Sequence, residues 1–171
     1  LNEVIIEKKI TRPDLILNEI RDDIIKALNP EGNEKAKDGM DCSLCCFDFE
    51  KMELAVAAAN NPVWILRDNK LLEIKPDKMP VGMYADEIKP FSLEIFKLEK
   101  GDVVYTFTDG YADQFGGPKG KKFKYKQLEE KLIANHNKPM AEQKEILLET
   151  FDKWKEGLDQ IDDVLLIAIK V

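Results

Sequence analysis

The stretch Val103-Val104-Tyr105-Thr106-Phe107-Thr108-Asp109-Gly110 decides how the rest of this chain is read. Its β-branched and aromatic side chains fit a buried strand over residues 103–107. Lys100-Gly101-Asp102 supplies a turn before it, and Asp109 follows the strand directly, ahead of a glycine that permits a sharp change of direction. A mirror arrangement closes the chain. In Gln160-Ile161-Asp162-Asp163-Val164-Leu165-Leu166-Ile167 the carboxylates stand immediately before an apolar run, which predicts a buried strand over residues 164–169. If the two strands are antiparallel neighbours, the end of one meets the start of the other and Asp109 faces Asp162.

Outward from this pair, the middle of the chain reads as hairpins. Residues 41–50 place Cys42, Leu44 and Cys46 on one face and Cys45, Phe47 and Phe49 on the other, which predicts a strand covered on both sides. Residues 52–59 answer it across a polar turn. The run Ala55-Val56-Ala57-Ala58-Ala59 suits a helix as well, and as a strand its small side chains invite another layer to approach closely. Residues 63–67 and 71–74 flank Asp68-Asn69-Lys70, a hairpin signal. Pro76, Pro80 and Gly82 mark a loop over residues 75–86, and residues 91–98 alternate Phe91, Leu93 and Ile95 with Ser92 and Glu94. Three amphipathic helices are expected. The first covers residues 13–29, capped by Thr11 and ended by Pro30 and Gly32, with Leu17, Ile20, Ile24 and Leu28 on one face; the others cover residues 126–134 and 140–155. Between Tyr111 and Gly120 the glycines leave room for only a short helix. The sum is an α+β fold around an antiparallel core, in a single domain spanning residues 1–171.

A chain of 171 residues with 44% apolar and 35% charged side chains can bury a core without a disulfide or a structural metal. Lys plus Arg number 26 against 33 Asp plus Glu, a net charge of −7 that disfavours nucleic acid as a partner. No apolar run approaches the roughly 18 residues that span a bilayer, so no membrane partner is expected for this segment. The three cysteines, Cys42, Cys45 and Cys46, are too few and too close for a disulfide framework, and they fit a reducing cytoplasm. Cys42 and Cys45 have C-x-x-C spacing, but zinc takes four ligands. The one histidine, His136, lies in a polar turn far along the chain, which also disfavours a His-based triad.

Adjacent carboxylates repel at neutral pH unless a hard cation neutralises them, and an all-oxygen donor set points to Mg²⁺ or Mn²⁺. Asp109 and Asp162 fit equally the plainer task of capping adjacent turns or helices. Asn60-Asn61 ahead of Pro62 suits a turn or a substrate contact. Lys119, Lys121, Lys122, Lys124 and Lys126 form the one basic cluster, which is either a solvated charge run or a surface for an acidic or phosphorylated protein. Trp64 and Trp154 read as core anchors.

The order of short motifs narrows the choice. Asp38-Gly39-Met40-Asp41, Ala58-Ala59-Asn60-Asn61-Pro62, Pro80-Val81-Gly82-Met83, Leu98-Glu99-Lys100-Gly101-Asp102, Thr108-Asp109-Gly110-Tyr111-Ala112-Asp113 and Asp162-Asp163-Val164 run in this sequence over residues 38–164. Together they resemble the bacterial sporulation stage II protein E type of serine phosphatase, a branch of the metal-dependent type 2C protein phosphatases. Asp113-Gln114-Phe115-Gly116-Gly117-Pro118-Lys119-Gly120 resembles a subgroup often joined to repeat or sensor modules.

The resemblance implies an αββα sandwich with two Mn²⁺ or Mg²⁺ ions at one edge of its central sheets. In such enzymes a metal-bridging water attacks the phosphorus of phosphoserine or phosphothreonine directly. Asp109 matches the metal ligand of the family's T-D-G motif, and Gly110 stands beside it with its backbone. Asp162 matches the final metal-binding aspartate, with Asp163 as its neighbour. Two further family motifs, an early G-D pair and D-x-x-G-H-G, do not occur in this sequence. The resemblance places them upstream, with Leu1 to Ile6 as the tail of a helix that follows them. The expectation is therefore a phosphatase domain lacking its first strands, with little or no activity as this piece. Its expected partners are a phosphorylated regulatory protein, as in sigma factor control, and an N-terminal sensor or repeat module. Uncovered sheet edges favour a homodimer. The alternative is a non-catalytic, phosphatase-like module that switches protein partners.

Overall fold

Antiparallel pairing organises the chain. The computed structural model describes residues 1–28, 38–84 and 88–171, so the expected end of the first helix, the polar segment 31–37 and the end of the 75–86 loop lie outside the described residues. Two compact units form, Leu1–Val63 with Ile74–Lys100, and Trp64–Glu73 with Gly101–Val171. Among the described residues no helix is long and apolar enough to cross a membrane.

In the first unit, helix α1 (Pro13–Leu28) packs on a three-stranded sheet of β2 (Cys42–Asp48), β3 (Glu53–Ala59) and β7 (Glu94–Lys97), in the order β2-β3-β7. The pair β1 (Gly39–Met40) and β6 (Val81–Gly82) lies beside them in sequence as a short antiparallel bridge. The alanine run is a strand because the small faces of Ala57 and Ala59 let Leu17 of α1 settle among Val81, Phe91 and Met79, with Ile20 and Ile24 alongside. The Arg12 carbonyl accepts the Ile16 N–H at 3.0 Å, which puts the capping position of α1 at Arg12 rather than Thr11. Ahead of it, Glu3–Glu7 wind into a π-helical turn that buries Val4.

Two expectations fail in this unit. Strand β2 is an edge strand, so it is covered incompletely and Cys46 is exposed, while Cys42 and Cys45 are half-buried. Burial, with Asp41 adding to it at Cys42, pushes both of those thiols up to about 11, which leaves them poor nucleophiles. Strand β7 begins only at Glu94, so the alternation starting at Phe91 does not run through it. Phe91 is 3% exposed and Ile95 is 63% exposed.

The second unit is built on a four-stranded sheet in the order β11-β8-β4-β5, made of β4 (Val63–Arg67), β5 (Lys70–Ile74), β8 (Val103–Phe107) and β11 (Leu166–Lys170). Asp68 and Asn69 join β4 to β5 with φ of 48° and 62°, the positive pair that a tight two-residue hairpin requires. After β8 come α2 (Gly110–Asp113), the small hairpin β9 (Phe115–Gly116) and β10 (Lys121–Lys122), then α3 (Tyr125–Asn135) and α4 (Met140–Lys155). Trp64, Tyr105, Phe107, Tyr111, Phe123 and Phe151 form the core here, with the Trp64 ring edge-on to Phe107 at 4.6 Å. Helix α2 is short, as the glycines between Tyr111 and Gly120 imply, and the hairpin β9–β10 is an element the sequence reading does not include. Strand β11 is not the buried strand the sequence predicts: at the sheet edge it leaves Ile167 and Ile169 exposed, and Leu165 just before it is exposed too.

Burial pushes the phenols of Tyr105 and Tyr125 up to about 12 and raises Tyr111 as well, against 10.0 for a free tyrosine. A folded pKa above the unfolded value contributes stability that is fully present below the unfolded pKa and is lost as pH rises through the folded one. The thermal midpoint should therefore fall as pH rises from about 10 toward about 12, in step with tyrosinate absorbance. A midpoint that stays flat while the tyrosines ionise would contradict their burial.

Candidate functional site

The β8–β11 ladder runs antiparallel with Phe107 opposite Leu166 and Val103 opposite Lys170. It brings the end of β8 to the start of β11, as the two motifs predict. Beyond Phe107 the ladder continues through Thr108. Its N–H donates to the Leu165 carbonyl at 3.0 Å, its hydroxyl donates to the Asp163 carbonyl at 2.8 Å, and the hydroxyl oxygen accepts the Leu165 N–H at 3.0 Å. One threonine thus fastens residues 163–165 to the turn that carries Asp109.

Asp109 is exposed and precedes α2 with φ −72° and ψ −17°, and its side chain makes no capping hydrogen bond to that helix. Side-chain capping of α2 therefore does not account for this aspartate. Gly110 is packed so closely that a Cβ there would stand 2.4 Å from the Asp163 carbonyl oxygen. Asp162 is exposed, and its Oδ1 accepts the Asp163 N–H at 2.7 Å. Asp109, Gly110, Asp162 and Asp163 consequently share one end of the strand pair.

Gln114 holds the approach to this end. Fully buried, it donates through Nε2 to the carbonyls of Phe115 (3.1 Å) and Asp159 (3.0 Å), and its Oε1 accepts the Ile161 N–H at 3.4 Å. Tyr125 stands near enough to Asp109 and Asp113 that their charges add to the burial that raises its phenol. Asp113 itself is ion-paired with Lys122 at 2.7 Å. Thr108 and Gln114 escape a sequence search for charged or nucleophilic groups; their places within T-D-G and D-Q-F-G are the one signal that marks them.

The donor chemistry is that of carboxylate oxygens, suited to a hard divalent cation. Among the described residues, however, no three His, Cys, Asp or Glu side chains converge as a metal-binding group. Asp109 and Asp162 would together supply only part of a coordination shell, and two carboxylates alone do not close a two-ion centre.

The stage II sporulation protein E (SpoIIE) family model matches residues 4–171. The chain belongs to the SpoIIE family. No curated protein matches it in sequence. Among solved structures, the PP2C domain of SiaA from Pseudomonas aeruginosa aligns with a TM-score of 0.83 at 24% identity, covering 94% of this chain and 61% of that one. The phosphatase domain of SpoIIE from Bacillus subtilis aligns with a TM-score of 0.59 at 12% identity, covering 94% of this chain and 74% of that one. The serine/threonine phosphatase PstP of Mycobacterium tuberculosis gives 0.58 at 16% identity, covering 86% and 66%. This SpoIIE-family chain thus has the α+β sandwich fold of PP2C phosphatase domains and spans 61% of the SiaA domain. Manganese accompanies that fold: a PstP catalytic domain was solved with two manganese ions, and the Bacillus SpoIIE domain after a manganese soak.

Proposed function

We propose that this chain is part of a metal-dependent phosphoserine/phosphothreonine protein phosphatase that acts on a phosphorylated regulatory protein in the bacterial cytoplasm. Asp109 and Asp162 are its carboxylate ligands for Mn²⁺ or Mg²⁺, with Asp163 and the Gly110 backbone beside them. The observation that carries this reading is the lock at the strand ends, where Thr108 and Gly110 hold the backbone of residues 162–163 against the Asp109 turn. A bound divalent ion would supply charge neutralisation and an activated water. The chain's own residues supply two negative charges and a tightly fixed backbone between them.

The test is turnover of a phosphoserine peptide by the full-length protein in Mn²⁺. Asp109→Asn and Asp162→Asn each keep the side-chain shape and remove a ligand charge, so each should lower turnover at least about a hundredfold while the thermal midpoint without metal holds or rises. Undiminished turnover in both variants would sink the metal assignment. One observation favours a second reading, a fold that only binds its regulatory partner: no third ligand converges among the described residues. Absence of Mn²⁺-dependent turnover in the unaltered full-length protein would decide for it.

A further inference from the structure

Beyond Asp113 the chain turns basic. Lys119, Lys121, Lys122, Lys124 and Lys126 follow with no acidic residue before Glu129, in a chain whose net charge is −7. Four of them, Lys119, Lys121, Lys122 and Lys124, line a cavity of about 320 Å³ together with Pro118 and Trp154. Among the described residues Lys122 is tied to Asp113, whereas Lys119, Lys121 and Lys124 hold no ion pair.

These cations are mounted on a fixed support. The Gly117 N–H donates to the Trp154 carbonyl at 2.8 Å, and the Trp154 indole N–H donates to the Gln114 carbonyl at 3.0 Å. A Cβ on Gly116 would stand 1.8 Å from the Trp154 carbonyl oxygen, so hairpin and helix α4 meet backbone to backbone. The residues that follow the hairpin are fastened back to α2 and its cap, the Phe123 N–H donating to the carbonyl of the cap residue Gln114 (2.9 Å) and the Lys124 N–H to that of Ala112 in α2 (2.6 Å). Asp109 is the residue immediately before α2. Lys124 sits at φ 74° and ψ 146°, a conformation that glycine adopts far more readily than any side chain. A lysine is held there against its backbone preference, and its hydrogen bond and its place in the cavity wall are what it gains.

We propose that the β9–β10 hairpin and Lys124 form a docking surface for an acidic segment of a protein, the one whose phosphorylated residue the Asp109 end receives. The substrate identity rests on the phosphatase reading; the capture of an acidic segment rests on the charges alone. A short acidic peptide fits better than nucleic acid or a lipid surface. It meets only the hairpin, whereas an extended polyanion would also face the rest of a molecule of net charge −7. Trp154 and Pro118 add an apolar floor that a peptide's side chains can use.

The probe is a labelled oligoglutamate peptide carrying one phosphoserine, followed by fluorescence anisotropy with the unaltered chain, and compared with the same peptide bearing glutamine for glutamate. The glutamate peptide should bind more tightly, and its affinity should fall as salt rises. Lys119→Glu/Lys121→Glu/Lys124→Glu should weaken it by roughly tenfold or more. Lys119→Gln/Lys121→Gln, which introduces no new charge, should weaken it less and keep the native thermal midpoint. Equal affinity for the two peptides, or unchanged affinity in both variants, would overturn the proposal. So would tighter binding of oligothymidylate or of phosphatidylserine vesicles than of the peptide. Because binding needs no turnover, a chain that fails to hydrolyse phosphoserine can still capture the peptide, and the two readings fail separately.

Discussion

Replacing Asp102 with alanine should destabilise the chain by about 3–5 kcal/mol, the range for breaking a buried ion pair from one side. Asp102 is 1% exposed, and both of its carboxylate oxygens are used by one guanidinium, Arg67 Nε at 2.8 Å and Nη2 at 2.7 Å. Such a fork is the strong geometry for an ion pair. Arg67 ends β4 and Asp102 precedes β8, so the pair clamps two neighbouring strands. The Asp102 carbonyl also accepts the Val171 N–H at 2.9 Å, which fastens the far end of β11. Loss of the carboxylate takes both hydrogen bonds of the fork from a guanidinium whose side chain is only 23% exposed, and that loss is the source of the cost. Arg67→Leu/Asp102→Leu removes both charges and should cost well under the sum of the single changes. Urea unfolding of the parent, Asp102→Ala, the two single leucine variants and the double leucine variant measures this; a loss below about 1 kcal/mol for Asp102→Ala would mean the pair is effectively solvated.

Which features were legible follows from where their causes lie. Val103–Phe107 could be read because a buried central strand needs apolar side chains on both faces. The Asp68-Asn69 hairpin could be read because positive φ is a demand on those two residues themselves. Whether a strand is central or at an edge depends on its neighbours, so the apolar runs of β2 and β11 looked buried when both are edges. The strands β1, β6, β9 and β10 are two residues each and too short to show any alternation. Asp102 reads locally as a turn residue beside Gly101, and its partner Arg67 stands 35 positions away. The site shows the same division. Asp109 and Asp162 stand out as charges at the ends of apolar strands, whereas Thr108 and Gln114 act through hydrogen bonds that only the paired backbone reveals. That no third ligand converges among the described residues has a different character, since the sequence contains neither of the other two aspartate motifs that the resemblance calls for.

Gly110→Ala separates local propensity from tertiary fit at the site itself. Gly110 opens α2 and its φ is not positive, so the backbone accepts a side chain there. Alanine is the better helix former by about 1 kcal/mol, and on that ground alone the substitution should stabilise. The surroundings say the opposite. The new Cβ would lie 2.4 Å from the Asp163 carbonyl oxygen, 3.0 Å from the Asp163 carbonyl carbon and 3.3 Å from the Asp162 carbonyl carbon. All three are backbone atoms, which cannot rotate aside as a flexible side chain would. Either α2 or residues 162–163 must retreat, and the hydrogen bonds of the Thr108 hydroxyl to Asp163 and Leu165 are the first to stretch. The net expectation is a destabilisation of about 1–3 kcal/mol and, on the proposed phosphatase reading, a fall in Mn²⁺-dependent turnover of the full-length protein larger than stability alone explains. The excess follows from geometry, because a retreat of even half a bond length moves the Asp162 carboxylate away from Asp109 while the core stays folded. Thermal unfolding and turnover of Gly110→Ala would be read together. An alanine variant as stable as the parent or more so would show that α2 and the Asp162–Asp163 backbone are not in close contact, and the placement of the two carboxylates at one site would go with it.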